Sequence, residues 1–509
     1  MLALNVPSSR HQAWRGAAEG PACWVIDFHR DTMLRTRPSL AILVLILSAA
    51  LAGCGTNTQY GSAGQSNGNS SVVLAMTDTP PSNVSILSAE VTLTGAALNP
   101  GNISLFSGST TVELTRLQTD IAYITTAANI PAGNFTGLTL TFANPQLTIE
   151  NDTAAPIVSG TTTCKVGAIC TIPPTTTANL STTVPITSFT IATSSVTGLL
   201  IDVDLNTLLT ATMGADFSAG TSVTSFTPGG VGIPPVGAED VVGHVGNVSA
   251  ANNTFTLTNS AASYSLKVGS TSTFLQFPTA SCPTPAFSCL QNNQILSVDI
   301  GIQTDGTIAA RNLLFEDADS SDAEVEGLIT STNVGSQQFN IVVLSLSATN
   351  TGLTIGEPVT VQYSMSPQTP FSIDFVHADN AQIVTTGFLF ATPADLAVGQ
   401  QVSIRRHGTL AGGQIQADRV LLRSSRVTAT VQTIGSGIIS LSSLPSIFFG
   451  HGGVTVIQAQ TSSPTIFFEI GNTVNISNIP LNTQVSVRGP LFNSSGTSRP
   501  LIASKVVLN

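Results

Sequence analysis

The chain has 509 residues, 17 Lys and Arg against 28 Asp and Glu, and a formal net charge of −11. An acidic chain with no basic cluster larger than Arg405-Arg406 repels phosphate backbones, which excludes nucleic acid as a partner. Charged residues are only 9% of the whole, yet Val, Ile, Leu, Phe and Thr recur in short alternating runs, so the composition points to sheet rather than disorder.

In chain order, the first informative stretch is Met33-Leu34-Arg35-Thr36-Arg37, followed by an apolar run from Leu40 to Leu51 and then Ala52-Gly53-Cys54. Basic segment, apolar run and small residues in that order are the layout of a signal peptide. The apolar run is too short for a ~30 Å hydrocarbon core, which needs roughly 20 helical residues, so removal is expected rather than permanent anchorage. Leu51-Ala52-Gly53-Cys54 resembles the lipobox of bacterial lipoproteins. The resemblance implies cleavage before Cys54, acylation of its thiol and attachment to a membrane, since two or more chains anchor stably where one does not. Gly55 stands where an aspartate would favour inner-membrane retention, which leans the expected address toward the outer membrane. Residues 1–32 hold Trp14, Trp24 and Cys23 and fit neither the signal nor the β-rich chain beyond Cys54, which points to Met33 as the start.

Five of the 17 basic residues lie at or before Arg37 and three of the 28 acidic ones before Cys54, leaving 12 basic against 25 acidic residues beyond the leader of 1–53. The remaining length suits three or four domains of ~100–150 residues. Residues 54–70 are glycine-rich and polar, and read as a flexible tether spanning a few tens of Å at ~5–6 Å × √n. From 71 to 226, strand-type alternation recurs between turns rich in Pro, Gly, Asn and Ser, as a β-sandwich requires. Thr77-Asp78-Thr79-Pro80-Pro81, the run Val84 to Leu98, Val112 to Leu117, and Ile130 to Phe135 leading into Leu138 to Phe142 resemble the exported domains of unknown function of the DUF 4382 type. That likeness implies a sandwich and no particular activity.

Residues 227–239 are a Pro/Gly linker. Beyond it a pattern repeats about three times, over 240–318, 323–424 and 426–509. The opening strands are Val241 to Val245, Val325 to Ile329 and Val427 to Val431, and the closing hairpins start at Asn293, Gly399 and Asn482. The repeats resemble small β-barrel units of the DUF 5666 type found in bacterial envelope proteins. An added piece around Leu353 to Phe375 is expected in the middle copy. The fold class is therefore all-β, an N-terminal sandwich followed by about three small barrel-like modules.

Cys164 with Cys170 and Cys282 with Cys289 are close pairs whose spacing is not that of a zinc knuckle, so two local disulfides are expected, each contributing roughly 2 kcal/mol on the chain-entropy model. Gly64 to Gly68 matches the nucleophile-elbow pattern but lies in the tether, where the strained strand-to-helix turn that chemistry needs has no place. Of the histidines beyond the leader, His244, His377, His407 and His451, none has metal-motif spacing. Asp202 and Asp204 share one face of a strand, as a glycosidase pair would, but no third polar group marks a cleft and the solvated face of a sandwich is the favoured reading. In the acidic run Glu316 to Glu326, Asp317, Asp319 and Asp322 are candidate calcium ligands, although the run lacks the glycine and distal glutamate of an EF-hand. No catalytic constellation emerges. The expected role is non-catalytic binding or scaffolding in the cell envelope, with an envelope protein or glycan as partner and no required cofactor. A glycan- or peptide-binding surface module, and a hydrolase of unfamiliar type, are the alternatives.

Overall fold

The computed structural model describes residues 69–508, apart from short stretches at 81–85, 160, 173–174, 177–179, 209–213, 230–236, 319–320, 349–350, 376, 379–380, 408–412 and 470–471. Cys54 and the leader, the tether residues before 69, and Asp319 lie outside these residues.

The first module is the expected sandwich. One sheet holds β1 (Ser70–Thr79), β4 (Ala122–Ile130), β8 (Val196–Asp204) and β9 (Thr221–Phe226). The other holds β2 (Ile86–Asn99), β3 (Ile103–Glu113), β5 (Gly133–Glu150), β6 (Ile169–Ile172) and β7 (Ser181–Ile191). Inward residues such as Leu74, Leu93, Phe142 and Ile201 form one core between them. The centre of the first sheet is a parallel β1–β8 pair running from Ser71↔Val196 to Thr79↔Asp204. The Cys164–Cys170 disulfide ties a hairpin over 157–164 to β6.

The next module is a closed five-stranded barrel, with strands Ala238–Ser249, Thr254–Thr258, Ser263–Leu275, Ile295–Ile302 and Ile308–Asp317 in the ring order first-second-third-fifth-fourth. First and fourth strands run antiparallel and third and fifth parallel, which makes it a small Greek-key barrel. Cys282–Cys289 closes the loop between its third and fourth strands.

The second and third barrels repeat that ring. In the second, the strands are Asp322–Asn333, Gln338–Leu346, Pro358–Gln362, Gln401–His407 and a fifth in two halves, Gln414–Gln416 and Arg419–Leu422. The first half of the fifth strand pairs with the third and the other half with the fourth. At the break Ala417 N donates to Gln362 O at 2.8 Å and Asp418 N to Arg405 O at 2.9 Å, so the backbone ladder is handed across without a gap. The third barrel, Ser424–Gly435, Ile438–Ser442, Val456–Gln460, Gln484–Pro490 and the halves Ser498–Ile502 and Lys505–Leu508, does the same at Ala503 and Ser504. In the middle copy, part of the expected added piece is ordinary barrel: Pro358–Gln362 is the third strand and Phe371–Ile373 extends it against the fifth. The extra length falls instead on the connection over 374–400. Alternation alone misplaced it, because a strand interrupted by Pro367 and Pro370 reads as two unrelated pieces.

The modules share their cores. Along β1, Val72, Leu74 and Met76 point into the sandwich, while Val73 and Ala75 join Ile121 and Leu200 against the first barrel's Val298 and Ile300. In the second barrel Ile341 and Val343 point inward, whereas Val342 and Leu344 pack with Val398 and the sandwich's Leu87 onto the third barrel. Phe492 and Ile502 of the third barrel enter the core of the second in return. A strand buried on both faces must be apolar at every position rather than at alternate ones, which is the pattern of Val72 to Met76 and of Ile341 to Leu344.

Candidate functional site

The most concentrated chemistry is a buried charge network where the four modules meet. It starts from strand register. Arg426↔Arg488 and Arg488↔Lys505 are direct cross-strand neighbours on three adjacent strands of the third barrel. Like charges directly opposite one another destabilise a sheet, so this row requires acids in front of it.

Asp120 of the sandwich supplies the first acid. After β3 the chain makes a single 3₁₀ turn, Leu114–Gln118, capped by the Glu113 side chain, and Thr77 Oγ1 on β1 donates to Leu117 O and Asp120 O at 3.3 Å each. This holds Asp120 under the row: its Oδ1 lies 2.7 Å from Lys505 Nζ, and its Oδ2 lies 2.7 Å from Arg426 Nη2 and 3.8 Å from Arg488 Nε. Burial alone would push this carboxyl up, but the Lys505, Arg426 and Arg488 charges outweigh it and hold the group far below the usual carboxylate range.

The first barrel supplies the other two. Consecutive strand residues normally point to opposite faces, but a bulge between Ala238 and Val241, with Asp240 in the left-handed region at φ 54°, turns Glu239 and Asp240 to the same side. Both pair with Arg488, and Glu239 Oε1 also lies 3.0 Å from Lys505 Nζ.

A second row lies on the outer face of the second barrel. Glu324 and Glu326 flank the inward Val325, and Arg419 and Arg423 flank Val420 and Leu422. Arg419 Nη2 bridges Glu316 Oε2 of the first barrel and Glu324 Oε1, each at 2.6 Å. Arg423, 1% exposed, reaches Glu316 Oε1 at 2.7 Å and pairs with Asp374 and Glu326. Arg116 of the sandwich pairs with Glu326 and donates from Nη2 to Asp240 O at 3.1 Å, which links the two rows. The side of the network toward the sandwich opens on a cavity of about 90 Å³ lined by Asp120, Glu239, Arg116, Arg426, Tyr123 and Tyr264.

The sequence-derived candidates fall partly here. Asp317 lies 2.5 Å from Arg405 Nη1 and Asp322 3.9 Å from Arg405 Nε, so the acidic run meets arginines from two other strands. Among the described residues, no three His, Cys, Asp or Glu side chains gather in a way that could hold a metal ion. Both expected disulfides are present, with Cα separations of 5.7 Å and 5.5 Å. Asp202 accepts from Thr79 Oγ1 at 3.1 Å and 3.0 Å, and Asp204 caps the short turn Leu205–Leu208 through Asn206 N at 2.9 Å, so each carboxylate has a local structural partner. His244 is half-buried and burial pushes its imidazole down, partly offset by a hydrogen bond with the Asn293 backbone. Sequence reading missed Asp78: both its oxygens are buried without a hydrogen-bond partner among the described residues, and burial, with the charges of Asp202, Glu113 and Asp204, pushes it well above the usual carboxylate range.

A second feature is a surface groove of about 380 Å³ with a floor of Thr330, Asn340 and Thr360 from the second barrel. The disulfide-clipped loop with Gly167 closes one side and His451 the other. His451 stands on a wide helical turn, Ile447–His451, clamped at both ends by Glu150, whose carboxylate accepts from Ser446 Oγ at 2.9 Å and pairs with His451 Nε2 at 2.7 Å. Beneath that turn Phe448 takes the space a side chain at Gly399 would need: a Cβ there would lie 2.2 Å from the ring, and φ is +86°. Val166 and Phe449, 54% and 55% exposed, stand on the two flanking loops.

No family model matches the chain, and no curated protein matches it. Among the described residues no helix is long and apolar enough to cross a membrane.

Two outcomes are expected. Removing one member of a buried ion network strands its partners, so Arg423→Met destabilises the protein by about 3–5 kcal/mol in urea unfolding; a change below about 1 kcal/mol would show that Glu316, Glu326 and Asp374 are not held by it. Burial and the charges of Asp240 and Glu239 push Asp299 up to about 7. The folded protein thus binds this proton more tightly than the unfolded chain, and the associated stability is full below pH ~4 and lost as pH rises through ~7. Asp299→Asn should flatten that part of a Tm-against-pH profile between pH 4 and 8, and an unaltered slope counts against the assignment.

Proposed function

We propose that this is a lipid-anchored exported protein whose folded part serves a non-catalytic binding or scaffolding role in the cell envelope. The address rests on the leader: the basic segment, apolar run and Ala52-Gly53-Cys54 in order, with the glycine-rich tether behind them to lift the first module from the headgroups. The observation that most supports a scaffolding role is the inward turning of charge. Seven of the 12 basic residues beyond the leader (Arg116, Arg405, Arg419, Arg423, Arg426, Arg488 and Lys505) pair with acids of other strands or modules. Buried pairing of this kind ties modules into one orientation and leaves a surface of Ser, Thr, Asn and Gln. In this reading the sandwich and barrels keep their resemblance to envelope domains of the DUF 4382 and DUF 5666 types, and the outer membrane is the favoured location because Gly55 follows the cysteine.

A glycan partner is favoured by the groove. The hydroxyls of Thr330, Ser331 and Thr360 and the amide of Asn340 that line it suit a short neutral sugar, whose hydroxyls can exchange hydrogen bonds with them. Neither feature calls for a charged ligand.

The address is tested by metabolic labelling with a fatty-acid analogue. The native chain should carry label and sediment with membranes, while Cys54→Ser should lose both properties. Retention of unlabelled protein on membranes would overturn the anchor. For the groove, Asn340→Ala, which removes the amide of its floor, should weaken binding to a glycan array about tenfold, the equivalent of one hydrogen bond of about 1.4 kcal/mol. Equal array signals from both proteins would remove the groove from the reading.

A further inference from the structure

Lys505 is 1% exposed, and its ammonium sits among three oxygens: Asp120 Oδ1 at 2.7 Å, Glu239 Oε1 at 3.0 Å and Thr119 O at 3.1 Å. The Phe468 ring lies on another side, with its centroid 6.0 Å from Nζ. Near-attack pairs hold reacting atoms about 3–3.5 Å apart, and an amine bonded to one oxygen of a carboxylate stands at about that distance from the carbon between its oxygens. A buried amine, a carboxyl carbon within reach and a second carboxylate on the same amine are the components of an amide-forming centre.

We propose that Lys505 and Asp120 become joined by an isopeptide bond after the chain folds, with Glu239 as the proton carrier. One Nζ proton passes to Asp120 Oδ1, which it already touches, leaving a neutral amine beside a neutral acid. Nζ then attacks Cγ as a second proton moves to Glu239, and the negative charge collects on Oδ2. Arg426 holds that oxygen at 2.7 Å through Nη2 and 3.3 Å through Nε, so the cation that keeps Asp120 ionised at rest also stabilises the oxyanion. Glu239 returns its proton to Oδ1, the Cγ–Oδ1 bond breaks, and Oδ1 departs as water. Nζ keeps one hydrogen, Glu239 is regenerated, no electrons change hands and no co-reactant is consumed. The cavity of about 90 Å³ lined by Asp120, Glu239 and Arg426 has room for the released molecule, whose share of liquid volume is about 30 Å³. Burial of all three groups, with Asp120 and Glu239 side chains at 4% and 3% exposure, keeps bulk water from the product.

The bond would tie the sandwich to the third barrel across a sequence separation of 385 residues. Peptide mapping of the full-length purified protein tests it after denaturation and reduction. A branched peptide joining the segments around residues 120 and 505 is expected, lighter than its two parts by one water, with no tryptic cleavage after Lys505. Glu239→Gln should slow its appearance during refolding by about a hundredfold or more, the scale of lost general acid–base assistance. Two linear peptides from the native chain, with a free amine at Lys505, would overturn the proposal without recourse to any variant. Unslowed cross-linking in Glu239→Gln protein would overturn the role given to Glu239.

Discussion

Three cations in register across neighbouring strands are the constraint on which this architecture depends. Arg426, Arg488 and Lys505 lie on the outside of the third barrel, where a solvated face would let them repel one another across water. Buried against the sandwich and the first barrel, they are tenable only with Asp120, Glu239 and Asp240 opposite, and those acids come from a turn of the sandwich and a bulge of the first barrel. Desolvation offsets much of the Coulomb attraction in such pairs, so their net contribution to stability is small, while a mismatched docking would leave several charges buried and unpaired. The network therefore selects one arrangement of the modules more than it adds to the free energy of holding them.

The holding is apolar. Strands that bury both faces, β1 in the sandwich and the second strand of the middle barrel, make the core of one module continuous with the contact to the next. At about 25 cal/mol per Å² of buried apolar area, such contacts provide the attraction that the charges cannot. The division of labour is physical: dispersion and hydrophobic burial are indifferent to orientation, whereas paired rows of charge are not.

Much of the fold was legible in the sequence because strand alternation is a local property. The sandwich followed by three related modules, and both disulfides, could be read from period-two patterns and from cysteines six and seven residues apart. The continuous apolar runs Val72 to Met76 and Ile341 to Leu344 already carried the sign of two-sided burial. The network was not legible, because an outward polar residue on a strand looks the same whether it meets water or another module. Arg419, Arg423 and Arg426 are separated from their acid partners by up to 306 residues, and Glu316 to Glu326 read as a source of calcium ligands although most of it lies in two strands. Asp240 could not be foreseen as a bulge, since its left-handed backbone is imposed by pairing with the fourth strand of its barrel.

The order in which the parts of the network are synthesised matters as much as their final geometry. Asp120, Glu239 and Asp240 all precede the cations on the third barrel, so a chain emerging from its N-terminus assembles these carboxylates before the residues that pair with them. Until Arg426, Arg488 and Lys505 arrive with the third barrel, the carboxylates at the seam of the sandwich and first barrel lack the cations that pair with them. Closure of the four-module body therefore awaits the third barrel, the last of the described modules to be made.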